Sequence, residues 1–201
     1  MTIDEIMRSA PVIPVLVLEE EMDWAALAET FVAAGLPVLE VTLRTRFALE
    51  AIRKMDEVEG AIVGAGTVLN EAQLGEAVDA GSRFIVSPGL THPLGTAVTR
   101  SGVAYLPGIA NAGDIMRGLD LGLDRFKFFP AEASGGMAAL KALSAPFGNV
   151  RFCPTGGIRP DTAADWLALP SVLCVGGTWF VKSGDELSTI AERARDARAL
   201  S

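Results

Sequence analysis

A glutamate and a lysine, each set among apolar neighbours, are the two positions in this sequence best placed to do chemistry. In Val38-Leu39-Glu40-Val41-Thr42-Leu43-Arg44 the acid stands inside an aliphatic run, and in Arg125-Phe126-Lys127-Phe128-Phe129-Pro130 the cation stands inside an aromatic one. Both runs have the composition of β-strands, in which successive side chains point to opposite faces. Glu40 then shares a face with Val38, Thr42 and Arg44, while Leu39, Val41 and Leu43 face the other way. By the same alternation Lys127 sides with Arg125 and Phe129, against Phe126 and Phe128. Aromatic walls strip water from an amine, which disfavours the ammonium and favours the nucleophilic form that adds to carbonyl carbon. A carboxylate within reach of that amine would carry protons for it. The bland alternative is an interior salt bridge without a chemical role. Such pairs contribute little beyond what apolar packing would give, which weighs toward function.

To meet, these residues need a scaffold, and the rest of the chain supplies one. Runs rich in Val, Ile, Leu and Phe recur at 12–18, 38–43, 61–65, 84–87, 103–106, 125–129, 150–155 and 172–175. Between and after them lie amphipathic stretches at 23–34, 47–58, 71–80, 93–100, 112–119, 136–143, 162–167 and 185–199. Asn70, Asn111 and Asp161 stand where helix N-caps are expected. Eight alternations with no linker or shift in composition predict one α/β domain over 1–201, a single (β/α)8 TIM barrel. The short segment 3–9 reads as an N-terminal capping helix over the mouth at the strands' N-terminal ends. The second and sixth strands of an eight-stranded barrel stand opposite each other, so Glu40 and Lys127 can approach across its axis.

Barrels of this kind handle ligands at the C-terminal ends of the strands, which narrows the search to short windows. The seventh and eighth strands end in Pro154-Thr155-Gly156-Gly157-Ile158 and Val175-Gly176-Gly177-Thr178. Glycine pairs at these two strands suit a phosphate cradled by backbone N–H groups, with the Thr178 hydroxyl as a further donor. Ordinary turns are the simpler alternative. The third strand ends in Gly64-Ala65-Gly66-Thr67, where Thr67 is expected to share interior parity with Val63 and Ala65. Its hydroxyl could meet a substrate carboxylate or close its own turn. The fourth strand ends in Ser87-Pro88-Gly89, which brings one hydroxyl to the mouth. Arg44 is a natural carboxylate clamp, although arginines past strand ends are commonly solvated. Trp24, Leu27 and Phe31 at helical spacing read as a core or interface stripe, and His92 as a capping or surface residue.

Composition sets the outer limits. Of 201 residues half are hydrophobic and 21% charged, enough to bury a core. A net charge of −8, without a basic block, argues against nucleic acid as a partner. Apolar runs broken by Gly, Pro or charge predict no membrane span, and Asp4, Glu5 and Arg8 do not suit a signal peptide, so a cytoplasmic protein is expected. Cys153 and Cys174 read as reduced, buried thiols. With one histidine, His92, no multi-His metal site can form within the chain.

Taken together and in order, the windows Glu40-Val41-Thr42-Leu43-Arg44-Thr45, Gly64-Ala65-Gly66-Thr67-Val68-Leu69, Ser87-Pro88-Gly89, Phe126-Lys127-Phe128-Phe129-Pro130-Ala131-Glu132 and Pro154-Thr155-Gly156-Gly157-Ile158 resemble the 2-keto-3-deoxy-6-phosphogluconate (KDPG) aldolase family. That family also includes 4-hydroxy-2-oxoglutarate (KHG) aldolase activity. The resemblance implies a class I aldolase, metal-independent and without a cofactor, acting on small-molecule 2-keto acid and aldehyde substrates, and usually a homotrimer. It implies cleavage of KDPG to pyruvate and glyceraldehyde 3-phosphate, and of KHG to pyruvate and glyoxylate. By resemblance Lys127 is the Schiff-base lysine and Glu40 the acid/base working through water. Arg44 and Thr67 surround the pyruvate carboxylate, and Pro88, Phe129 and Thr155 complete the pocket. Gly156, Gly157, Gly176, Gly177 and Thr178 match the phosphate loop, with Thr178 standing where many relatives carry serine. The tail after Phe180 is shorter than in some relatives. The rival readings are the galactonate-derived stereoisomer as substrate, a metal-dependent pyruvate aldolase, and a barrel that binds phosphorylated metabolites without turnover.

Overall fold

The apolar runs become strands because each is buried along nearly its whole length, between an inner core and a layer of helices. The structure, a computed structural model, describes residues 1–200. After α1 (Ile3–Arg8), the strands β1 (Val12–Leu16), β2 (Val38–Thr42), β3 (Ile62–Gly66), β4 (Phe84–Ser87), β5 (Ala104–Ile109), β6 (Arg125–Phe128), β7 (Arg151–Pro154) and β8 (Val175–Gly177) follow one another around a barrel. Each is followed by a helix: α2 (Trp24–Ala33), α3 (Ala48–Asp56), α4 (Glu71–Asp79), α5 (His92–Ser101), α6 (Ala112–Asp120), α7 (Gly136–Ser144), α8 (Pro160–Leu167) and α9 (Leu187–Arg198). The strands pair in parallel in the order β7-β6-β5-β4-β3-β2-β1-β8. Bridges Phe152↔Val172 and Thr155↔Gly176 close the ring, giving a (β/α)8 barrel.

The helix starts show why the elements begin where they do. Asn70 and Asn111 accept from the backbone N–H groups of Gln73 and Asp114, as N-caps do. Asp161 does not cap α8. That helix opens earlier, with Pro160 in its first turn, so Arg159 takes the N-cap position and Asp161 falls inside the helix.

Alternation sorts the strand side chains into two cores. Leu39, Val41, Phe126, Phe128 and Phe152 pack outward under the helices. Ile13, Val38, Phe84, Val86, Leu106, Cys153 and Cys174 fill the barrel, and Ile6 and Met7 of α1 join them from below. Burying two such side chains is worth about 1.5–3 kcal/mol each, so α1 plugs the lower mouth as the sequence suggested. A salt bridge from Arg125 Nε to Asp4 Oδ1 at 2.6 Å holds the plug in place. Both cysteines are free thiols, and Cys174 is pushed well above the usual thiol range by its hydrogen bond with Cys153 and by burial.

The structure corrects the reading of two strands. On β3, Val63 and Ala65 belong to the outer core, so above Ile62 the interior face consists of Gly64 and Gly66. The reason is space. A Cβ on Gly64 would meet the Phe84 ring, and one on Gly66 would stand on the Glu40 carboxylate. The eighth strand lies later than 172–175, because Gly176 and Gly177 pair with Ile13 and Pro14 of β1. This second glycine pair is strand and not a turn.

Candidate active site

β2 and β6 bring their polar interior residues together near the upper end of the barrel. Lys127 Nζ donates to Glu40 Oε1 at 2.8 Å and to Oε2 at 3.1 Å. The two side chains are 7% and 4% exposed, so this is a desolvated ion pair in which a proton has a very short path. Beneath it the barrel is filled with apolar side chains, and the Phe129 ring lies 5.5 Å from Nζ. The lysine is therefore not caged by aromatics alone. A carboxylate meets it directly, and that carboxylate has room only because β3 carries no side chain at Gly66.

The remaining predicted residues gather around the same mouth to different degrees. Thr155 is buried beside Cys153, with its hydroxyl directed to the Cys153 carbonyl at 3.4 Å, and it occupies the space a Cβ on Gly176 would need. Half-buried Pro88 presses its carbonyl against Gly108. Arg44 lies exposed just beyond β2 and has no salt-bridge partner among the described residues, which leaves its fork available. Thr67 follows Gly66 in a left-handed conformation, φ 59°, so strand alternation stops there and the parity argument does not orient it. Gly156 and Gly157 form a left-handed turn, φ 100° and 83°, and Thr178 is exposed directly after β8.

Two polar groups at this end have structural duties that sequence spacing did not reveal. Ser87 Oγ donates to the Gly89 carbonyl at 2.7 Å, so the Tyr105 hydroxyl, also at 2.7 Å, must be the donor to Ser87. This relay faces the helices and closes the Ser87-Pro88-Gly89 turn, and burial pushes the Tyr105 phenol up to about 12. Thr42 Oγ1 donates to the Leu16 carbonyl at 3.0 Å and ties the tops of β1 and β2. A serine or threonine at a strand end gives no sign in sequence of which neighbour it binds.

An amine and a carboxylate in contact inside a parallel barrel, with a left-handed glycine turn after β7, define a barrel enzyme of the imine-forming aldolase class. The family model for KDPG and KHG aldolase matches residues 3–192. The 2-dehydro-3-deoxy-phosphogluconate aldolase of Zymomonas mobilis is 58% identical, over 98% of this chain and 95% of its own length. The KHG/KDPG aldolase of Escherichia coli is 50% identical, over 96% and 93%. The solved KDPG aldolase of Legionella pneumophila, with pyruvate captured as a covalent carbinolamine intermediate, superposes with a TM-score of 0.94 at 41% identity, covering 98% of each chain. The chain belongs to the KDPG and KHG aldolase family.

Proposed function

We propose that this chain cleaves KDPG to pyruvate and glyceraldehyde 3-phosphate, and KHG to pyruvate and glyoxylate, with Lys127 as imine-forming nucleophile and Glu40 as proton carrier. The observation that carries this reading is the buried contact of 2.8 Å between Lys127 Nζ and Glu40 Oε1. Transfer of one proton along it gives a neutral amine and a neutral acid. The amine adds to C2 of the keto acid, and Glu40 supplies the proton with which the C2 oxygen leaves as water. The resulting iminium draws the electron pair of the C3–C4 bond as Glu40, now ionised, takes the C4 hydroxyl proton. The aldehyde leaves, the enamine is protonated at C3, and water releases pyruvate from Lys127. Because the iminium is the electron sink, no metal is required.

Around that centre, Arg44 and Thr67 hold the keto-acid carboxylate, and Pro88, Phe129 and Thr155 line the pocket. The N–H groups of the Gly156-Gly157 turn and the Thr178 hydroxyl hold the phosphate, with Gly176 and Gly177 giving clearance at β8. Binding energy at the distant phosphate then orients the scissile bond. We propose further that residues 1–201 act as one domain, in the cytoplasm, and assemble as a homotrimer. Leu69, Met116 and Leu119 are large apolar side chains left exposed, which supports an assembled state.

Borohydride trapping with pyruvate, followed by intact mass and peptide mapping, tests the mechanism. A lactyl-sized adduct on Lys127, absent from Lys127→Met, is expected. No adduct despite retained phosphate-ester binding would leave a binding barrel or a metal-dependent enzyme, which a chelator assay separates. Cleavage of the gluconate- and galactonate-derived substrates side by side fixes the C4 preference. A monomer in sedimentation analysis would overturn the trimer.

A further inference from the structure

Glu132 closes the Phe126-Lys127-Phe128-Phe129-Pro130-Ala131-Glu132 run, yet nothing in the chemistry above uses it. Its surroundings are specific. The Ala131 and Glu132 N–H groups donate to the carbonyls of Thr155 and Gly156 at 2.8 and 3.0 Å, which extends the β6–β7 pairing past both strands into the glycine turn. The Glu132 side chain then lies over that turn. Its β and γ carbons are 2.7 Å from where a Cβ on Gly157 would stand, so they fill the space that this glycine leaves. Its carboxylate is fixed from the far side, where Trp166 Nε1 donates to Glu132 Oε1 at 3.2 Å. Trp166 is itself wholly buried on α8 and packs against Phe128, the residue next to Lys127, with ring centroids 6.4 Å apart.

A turn of two left-handed glycines has no side chains to hold its shape, and backbone N–H groups bind an anion well only when they are already aimed. We infer that Glu132 is a positioning residue for the phosphate turn, braced by Trp166, which fixes the turn's distance from the imine-forming strand. The inference rests on the proposed phosphate site and adds the residue that holds it in shape. It makes a selective claim: loosening this brace weakens handling of the phosphorylated substrate and spares the unphosphorylated one.

Steady-state cleavage of KDPG and KHG by wild type, Glu132→Ala, Glu132→Gln and Trp166→Phe tests it. Glu132→Ala should raise KM for KDPG about tenfold, the scale of one lost hydrogen bond with its packing, while kcat and KM for KHG stay within about twofold. Glu132→Gln keeps an acceptor for the indole and should restore most of the loss. Trp166→Phe keeps the buried ring but removes the donor, and should shift KM for KDPG in the same direction by a smaller factor. Equal losses on both substrates, no change in Glu132→Ala, or a glutamine variant as impaired as alanine would each overturn the positioning role. If wild type itself gains nothing in KM from the phosphate, the phosphate-site reading fails first, and the role of Glu132 falls with it.

Discussion

Arg125 and Lys127 stand two residues apart on β6 with the same parity, and the barrel treats them in opposite ways. Arg125 lies at the lower mouth, where its side chain is 16% exposed and meets Asp4 of α1, 34% exposed. Its guanidinium also reaches the carbonyls of Asp124 and Asn149, so the charge is shared among partners beside water. Lys127 lies one step higher, above an apolar plug, and its contact with Glu40 is almost dry. The lower pair fastens a helix. The upper pair has no element to fasten, since β2 and β6 are already held by their neighbours in the sheet. Charges are removed from water at a cost of several kcal/mol per ion, so a pair with no structural duty points to chemistry.

The largest effect should come from removing the amine. Lys127→Met is expected to lower kcat for KDPG by at least about 10⁴-fold, because the proposed mechanism routes the imine through this amine. Arg125→Met should leave kcat within about twofold, measured as pyruvate release. Comparable losses from both would erase the distinction between the two ends of the strand.

Glu40→Gln comes next. It keeps the shape of the acid and a hydrogen-bonding oxygen for Lys127 but cannot carry the proton, so a loss of about 10²–10⁴-fold in kcat is expected. The same variant should still be trapped by borohydride, only more slowly. A normal rate in Glu40→Gln would assign the proton relay elsewhere.

The third contrast concerns stability. Lys127→Met alone leaves a buried carboxylate without its partner and should cost about 3–5 kcal/mol in urea unfolding, whereas Lys127→Met with Glu40→Leu should recover that loss or exceed wild type. A pair kept for chemistry is dispensable to the fold when both members go. A double variant as unstable as the single one would instead make the pair structural.

How much of this was legible in sequence follows the same division. Glu40 and Lys127 were legible because each is a charge at a fixed parity between apolar residues of strands with clear alternation. The plug was legible because Ile6 and Met7 precede the first strand with no other core to enter. On β3 the small residues hid the parity. Val63 and Ala65 look like interior residues until one asks what Phe84 and Glu40 require, and the alternate glycines 64 and 66 were the overlooked signal. The two glycine pairs look alike as letters, but Gly156-Gly157 turns with positive φ while Gly176-Gly177 stays in the ladder against β1. What separates them is a neighbour from another strand, Thr155, and no local pattern encodes it. Glu132 was invisible as a functional residue for a related reason, since its partner Trp166 arrives from a different helix.

The smallest effect tests the lower pair. The Asp4 carboxyl is held below its ordinary 3.8, first by its hydrogen bond to Arg8 and then by that to Arg125, both of which favour the ionised form. A carboxyl whose value is depressed in the folded state stabilises the fold at pH above its unfolded value. That contribution disappears as pH falls through the lower, folded value. Asp4→Asn should therefore cost no more than about 1 kcal/mol near neutral pH, because both arginine contacts are partly solvated. The gap between variant and wild type should begin to narrow as pH falls past 3.8 and close only below the lower, folded value, where wild-type Asp4 is also neutral. Activity should not change at any pH where both proteins are folded. A gap that persists undiminished in acid would mean that Asp4 holds the plug by shape and hydrogen bonding rather than by charge.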